Sequence, residues 1–312
     1  MSRTQAKGYG AGLSASITIG LPPVKNFARE PLRTRVINEV LSGDKIAALA
    51  ITEAFAGSDV QKIRSKAHKQ PDGSWILNGT KKWITGGMYA DYFTVAARTY
   101  GGSAPDGSIS CFLVPRTEGV ATKYIPTMYS AASGTAYITF DKVRVPGENL
   151  LGEEGKGLFI VLSNFNHERW SICVGLARSM RLVVEECLIW ASQRRVFDKP
   201  LMAQPVIRLK LAGMIGQAEA MQAWVEHITN QMCHMDYATQ ARHLAGPIAF
   251  MKMMFTRWAG EITDEAVQLW GGRALTTTGV GRYIERAHRS RKFEAVGGGS
   301  EEIMGDLGVR QL

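Results

Sequence analysis

The chain is 312 residues long, 45% hydrophobic and formally +9 at neutral pH. That size and apolar content bury a substantial core and favour two domains over one. Glycine and proline are scattered without repeats or low-complexity runs, which excludes a solenoid, and the longest apolar runs, such as Leu158 to Leu162, fall far short of the roughly 20 residues of a membrane span.

In chain order, residues 1–45 hold one helical pattern, Pro31 to Leu41, too little for a domain alone. From 46 to 151 the pattern is of strands: Trp75 to Gly79, Tyr92 to Ala96, Ile109 to Val114 and Ala136 to Phe140 are short and β-branched or aromatic. Asp-Gly and Pro-Gly turns separate them, so a compact β-domain is expected. From 152 to 312 apolar residues recur at steps of three and four. Long helices are predicted over Gly157 to Arg195, Pro205 to Cys233 and Ala245 to Trp270, packing as a bundle.

The four cysteines, 111, 173, 187 and 233, lack CxxC spacing and read as reduced core thiols. His227, Cys233 and His234 lie on a predicted helix without a third metal ligand at suitable spacing, so no metal site is expected. The basic cluster Arg282, Arg286, Arg289, Arg291 and Lys292 reads as a solvated face or as a site for phosphates or an acidic partner. No aromatic residues interleave as a stacking platform requires, and nucleic acid is not an expected partner.

Several segments follow one another in order: Ile51-Thr52-Glu53 with Gly57-Ser58-Asp59, Lys82-Trp83-Ile84-Thr85-Gly86, and Phe140-Asp141-Lys142-Val143-Arg144-Val145-Pro146. Then come Asn166-His167-Glu168-Arg169-Trp170, Arg194-Arg195-Val196-Phe197, Gln268-Leu269-Trp270-Gly271-Gly272 and Gly297-Gly298-Gly299-Ser300-Glu301-Glu302-Ile303. In this order and spacing the chain, from about Gly43 to Arg310, resembles the acyl-CoA dehydrogenase family. The resemblance implies an α+β fold: a central β-domain with β-barrel-like sheets, then a C-terminal four-helix bundle. Most of the family's N-terminal helical domain is absent, and residues 1–45 read as its remnant.

The resemblance also implies FAD as cofactor and α,β-dehydrogenation of an acyl-CoA thioester to the trans-2-enoyl-CoA, in fatty-acid oxidation or a secondary-metabolite acyl pathway. Many members place the base in the C-terminal loop, where this chain has Gly298. A branch resembling the isovaleryl and long-chain enzymes places it on a bundle helix before an arginine, and Glu168-Arg169 fills that place. The spacing from Arg169 to Arg194, 194 − 169 = 25, agrees with the family. Glu168 is thus the expected base, although a helical glutamate more often pairs with a neighbouring cation on the surface. Arg169 and Gly298 are expected at the substrate, the latter through its backbone N–H.

Cofactor contacts implied in the same way are Ile51, Thr52 and Ser58 at the flavin ring and pyrophosphate, and Trp83 and Thr85 over the isoalloxazine. Arg194 and Phe197 are expected to reach the FAD of a neighbouring subunit, with Gln268 and Gly272 near adenine and pyrophosphate. Ser300 and Glu302 are the last flavin contacts. Sharing of the cofactor implies a homodimer or homotetramer, and the family implies an electron-transfer flavoprotein as electron acceptor. The chain departs from the pattern at Ala54-Phe55, at Pro205 with Gln204 before it, and at Arg289-Ser290. Two other readings stay open: a flavin oxidase using oxygen, and a non-catalytic or nucleic-acid-binding relative that uses the basic stripe. A cytosolic or peroxisomal location is expected.

Overall fold

The computed structural model describes residues 7–311, which fall into two compact units, 7–167 and 168–311. The first unit opens with α1 (Lys7–Ser14), a π-helical turn (Ala15–Gly20), α2 (Pro22–Phe27) and α3 (Leu32–Leu41). The helix expected at Pro31 to Leu41 is present as α3; the two shorter ones lack a sustained period and were not legible in the sequence.

Eight strands follow: β1 (Ala47–Ala50), β2 (Lys66–Lys69), β3 (Trp75–Ile84), β4 (Tyr92–Tyr100), β5 (Ile109–Pro115), β6 (Val120–Tyr124), β7 (Ala136–Val145) and β8 (Leu150–Leu151). They form one sheet in the order β6-β7-β3-β2-β4-β5-β8, with β1 also paired to β4. The β1–β4 and β2–β4 pairs are parallel, and the remaining pairs are antiparallel. Alternation along β5 sends Phe112 and Val114 into one core and Cys111 and Leu113 into another. The first core is built on edge-to-face contacts of Trp75 with Phe112 and of Phe93 with Phe140. In the second, Val24, Leu32, Val36 and Val40 of the short helices cover the sheet.

Inside this unit lies a buried ion pair. Lys81 on β3 is fully buried, and its Nζ donates to Glu53 Oε1 and to the carbonyl of Ile51, both at 2.9 Å. Glu53 also accepts from the N–H groups of Arg64 (2.6 Å) and Ser65 (3.0 Å) and from Ser65 Oγ (2.7 Å). Ser65 can come this close only because position 79 is glycine, where a β-carbon would stand 2.4 Å from Ser65 Oγ. Burial raises the Glu53 carboxyl, but Lys81 and the Ser65 hydrogen bonds outweigh it and hold the group below the ordinary carboxylate range.

The second unit contains most of α4 (Gly157–Gln193), then a small hairpin of β9 (Arg195–Val196) and β10 (Lys199–Pro200). It continues with α5 (Pro205–His234), α6 (Tyr237–His243), α7 (Ala245–Trp270), α8 (Arg282–Ser290), α9 (Lys292–Val296) and α10 (Glu301–Arg310). On α5 the buried positions Leu211, Met214, Ala218, Met221, Val225 and Ile228 alternate steps of three and four, a helix-packing seam. α10 packs closely on α7, where Phe250 occupies the space a β-carbon at Gly308 would need. Among the described residues no helix is long and apolar enough to cross a membrane.

Cysteines 111, 173 and 187 are buried as expected, but Cys233 is exposed. It lies near the C-terminal end of α5, off the buried seam that ends at Ile228.

Truncating Glu53 to alanine strands the buried Lys81 charge, so a loss of about 3–5 kcal/mol is expected in urea unfolding. The double variant Glu53→Leu/Lys81→Met is expected to lose less. Because the Glu53 carboxyl is held low, the stability it lends is present above the unfolded value and is lost as pH falls through its folded value.

Candidate active site

α4 turns Glu168 and Arg169 toward the short connection between α9 and α10. In that connection Gly298 (φ +66°) and Gly299 (φ +106°) both occupy the left-handed region, which glycine enters without the β-carbon penalty. Two cations fix the turn. Arg169, 7% exposed, donates from Nε to the Gly298 carbonyl at 2.8 Å. Lys252 of α7, fully buried, donates from Nζ to the carbonyls of Ala295 (2.9 Å) and Gly299.

The N–H groups of Gly298 and Gly299 have no acceptor among the described residues. Glu168 Oε1 lies 3.7 Å from the place a β-carbon at residue 298 would take, and Ile172 Cδ1 lies 3.1 Å from it. Glycine at 298 therefore leaves the space in front of the carboxylate open. A carboxylate and backbone donors without an acceptor thus share this turn.

Burial raises the Glu168 carboxyl above the ordinary value of 4.5, opposed by the nearby charges of Arg169 and Lys252. Burial also lowers Arg169 to about 10 and Lys252 to about 8. No hydrogen-bond donor meets the Glu168 carboxylate among the described residues. The group is poised to accept a proton.

Ser300 and Glu302 continue from this turn. Ser300 caps α10, accepting from the Ile303 N–H at 3.4 Å, and Glu302 is exposed in its first turn.

In the sheet unit, the carbonyl of Thr52 accepts from the Lys82 N–H at 2.8 Å, which sets Thr52 beside Trp83. Ile51 is buried beneath, Thr85 is partly buried and Ser58 is exposed. Trp83 has φ +65° and its side chain is 52% exposed, with Lys82 Nζ 4.6 Å above the ring. A non-glycine residue at positive φ is strained, and an indole so exposed gains little by packing. The hydroxyls of Thr52, Ser58 and Thr85 have no partner among the described residues. An open aromatic platform beside free hydroxyls fits an isoalloxazine ring with a polar tail.

The remaining predicted residues gather at the far end of the bundle. Trp190 of α4 stacks on Trp270 of α7 at 4.6 Å between centroids, which brings together the segments Arg194–Phe197 and Gln268–Gly272. Phe197 is 88% exposed at φ +48°, and Gln268 and Gly272 are exposed. From Glu168 to Gln193, the last residue of α4, is 25 residues (193 − 168), or ~38 Å at the helical rise. The bundle thus presents two separate places to ligands.

Three residues of these networks escaped the sequence reading of sites: Lys252, Lys81 and Glu53 as the partner of Lys81. The signal for Lys252 was present, since it stands four residues after Ile248 and three before Phe255, a position the helical period gives to the core.

At the three departures, Pro205 opens α5 and Gln204 is its N-cap residue, while Phe55 is exposed with Arg64 near its ring. Arg289 pairs with Glu285 at 2.5 Å, and the buried Ser290 hydroxyl donates to the Arg286 carbonyl. One charge of the basic stripe is thereby neutralised.

Comparison with known proteins gives consistent matches. Residues 48–143 match the acyl-CoA dehydrogenase middle domain and 155–312 the acyl-CoA dehydrogenase C-terminal domain. The acyl-CoA dehydrogenase apdG of Emericella nidulans is 37% identical over all of this chain, which covers 72% of that protein. A probable acyl-CoA dehydrogenase of Mycobacterium abscessus superposes with a TM-score of 0.89 at 28% identity, over 99% of this chain and 81% of the other. An acyl-CoA dehydrogenase of Bacillus anthracis complexed with FAD superposes with a TM-score of 0.87 at 29% identity, over 95% of this chain and 52% of the other. The chain belongs to the acyl-CoA dehydrogenase family, whose members are FAD-dependent oxidoreductases.

Proposed function

We propose that this protein oxidises an acyl-CoA thioester to the trans-2-enoyl-CoA, with Glu168 as the base that removes the α-proton. The observation that carries this reading is the pairing of a carboxylate raised by burial with free backbone N–H groups across an open glycine position. Proton removal next to a thioester needs a base and a sink for the negative charge that develops on the carbonyl oxygen. The free Gly298 N–H serves as that sink, the Arg169 bond to the Gly298 carbonyl fixes the following peptide and with it the Gly299 N–H, and the Arg169 and Lys252 charges stabilise the developing anion.

FAD, when bound, supplies the acceptor of the β-hydride. Thr52, Ser58, Trp83 and Thr85 with Ile51 would hold the flavin ring, and Ser300 and Glu302 would complete its contacts. Arg194, Phe197, Gln268 and Gly272 would grip the FAD of a second copy. The assembly would be a homodimer or homotetramer, with an electron-transfer flavoprotein as electron acceptor.

The test is anaerobic titration of the FAD-loaded protein with saturated acyl-CoA thioesters, following loss of visible flavin absorbance. Reduction by one chain class, slowed at least ~100-fold in Glu168→Gln, is the expected result. A bound flavin that no thioester reduces would overturn the proposal. The same variant should be more stable than the parent at pH 8. A carboxyl raised in the folded state lends stability only below the unfolded value and loses it as pH rises through the folded one, so replacing it with a neutral amide removes the loss.

In kcat/KM against pH, the acid limb should lie above 4.5 and move higher in Lys252→Met, which removes a cation that favours the ionised base. Gly298→Ala should lower kcat/KM by about tenfold or more, since its methyl meets Ile172 and its backbone is strained at φ +66°.

A further inference from the structure

The proposed chemistry leaves one buried charge without a task. Lys81 is wholly buried and its partner Glu53 is 8% exposed, and the pair lies beneath the segment that carries Ile51 and Thr52. Taking two ions out of water is costly, and apolar side chains of similar volume often serve stability as well or better. A neutral donor would satisfy the Ile51 carbonyl at smaller cost. Stability alone does not account for a full charge at this place.

The hydrogen bonds of Lys81 and its successor converge on Thr52. Lys81 Nζ donates to the Ile51 carbonyl at 2.9 Å. In a trans peptide the carbonyl and the following N–H point in opposite directions, so a carbonyl turned toward the buried ammonium turns the Thr52 N–H away from it. The Lys82 N–H in turn donates to the Thr52 carbonyl at 2.8 Å. Both peptides flanking Thr52 are thereby fixed, and the Thr52 N–H has no acceptor among the described residues. Trp83 follows directly at φ +65°, where the register of β3 on β7 shifts between Lys81 and Ile84. A fixed donor without an acceptor therefore stands beside the exposed indole.

A cation on the carbonyl of a peptide also polarises that peptide and strengthens its N–H as a donor, the more so where the local dielectric is low. Glu53 opposes the effect of burial on Lys81 and favours its protonated form, while the carboxylate is itself held by the N–H groups of Arg64 and Ser65. The ammonium is thus the charge that touches the Ile51 carbonyl. A flavin that takes up two electrons and one proton gains one negative charge, and a strengthened donor favours that form over the oxidised one. We propose that Lys81 is a positioning residue for the flavin: through the Ile51–Thr52 peptide it aims and strengthens the Thr52 N–H toward the ring, and so raises the reduction potential of the bound FAD. The proposal rests on the functional reading above, which sets Thr52 at the ring, and adds to it a residue that touches no ligand itself.

The test is the reduction potential of FAD bound to the full chain, measured anaerobically against a reference dye without acyl-CoA. A structural role weakens oxidised and reduced FAD alike and leaves the potential where it was. In Glu53→Leu/Lys81→Met, reduced FAD is expected to lose at least tenfold more affinity than oxidised FAD, a fall of about 30 mV for a two-electron couple. Glu53→Gln/Lys81→Gln, which removes both charges and keeps polar groups, should lower the potential likewise and decides alone if the first variant does not fold. An unchanged potential, or loss of FAD altogether from a folded variant, would overturn the proposal and leave Lys81 a structural residue. The unaltered protein should itself hold FAD at a higher potential than FAD free in solution, and a potential at or below the free value would overturn the proposal without any variant. Failure of the unaltered protein to bind FAD would instead sink the proposed function itself.

Discussion

The candidate site depends on one constraint: the carbonyls of the Ala295–Gly299 turn are held from below by Lys252 and from the side by Arg169. A turn containing two glycines in the left-handed region has few conformational limits of its own. Its shape comes from two buried cations whose hydrogen bonds it must satisfy, because an unpaired buried charge is far more costly than a fixed turn. Those bonds use the carbonyls of Ala295, Gly298 and Gly299, and the N–H groups of Gly298 and Gly299 have no acceptor among the described residues. The same cations set the electrostatics, since they oppose the desolvation that raises the Glu168 carboxyl.

The sheet unit solves a similar problem with a charge of the same sign. Lys81 is buried beneath the Ile51–Thr52 segment and is neutralised by Glu53, which also gathers Arg64 and Ser65. In both units a buried lysine is linked to an irregular stretch of backbone that the sequence alone would leave mobile. The difference is in the partner. Lys81 has a carboxylate within hydrogen-bond distance, whereas Lys252 has carbonyl oxygens; burial lowers both ammonium groups, Lys252 to about 8. Lys252 thus contributes to the field at Glu168 while its protonation remains within reach of moderate pH.

Much was legible because it was periodic or ordered. The three long helices and α3 follow from apolar spacing, and the four main strands follow from β-branched runs between turns. β1, β2 and β6 were not anticipated: they are four or five residues each, and β2 reads Lys-Ala-His-Lys, with one buried position. Glu168 and Gly298 could be named as partners through resemblance, but their proximity could not be measured. Cys233 was read as a core thiol because composition does not say which helical face a cysteine takes.

By itself the sequence determined the order of elements, the family and the residue types available for chemistry, since these depend on local period and motif spacing. Only the tertiary structure decided which groups meet across 130 residues, as Glu168 and Gly298 do (298 − 168 = 130). It alone placed Lys252 under the turn and Lys81 beneath Ile51 and Thr52. Burial, charge coupling and free backbone donors are properties of an arrangement in space, and the linear order of residues does not contain them.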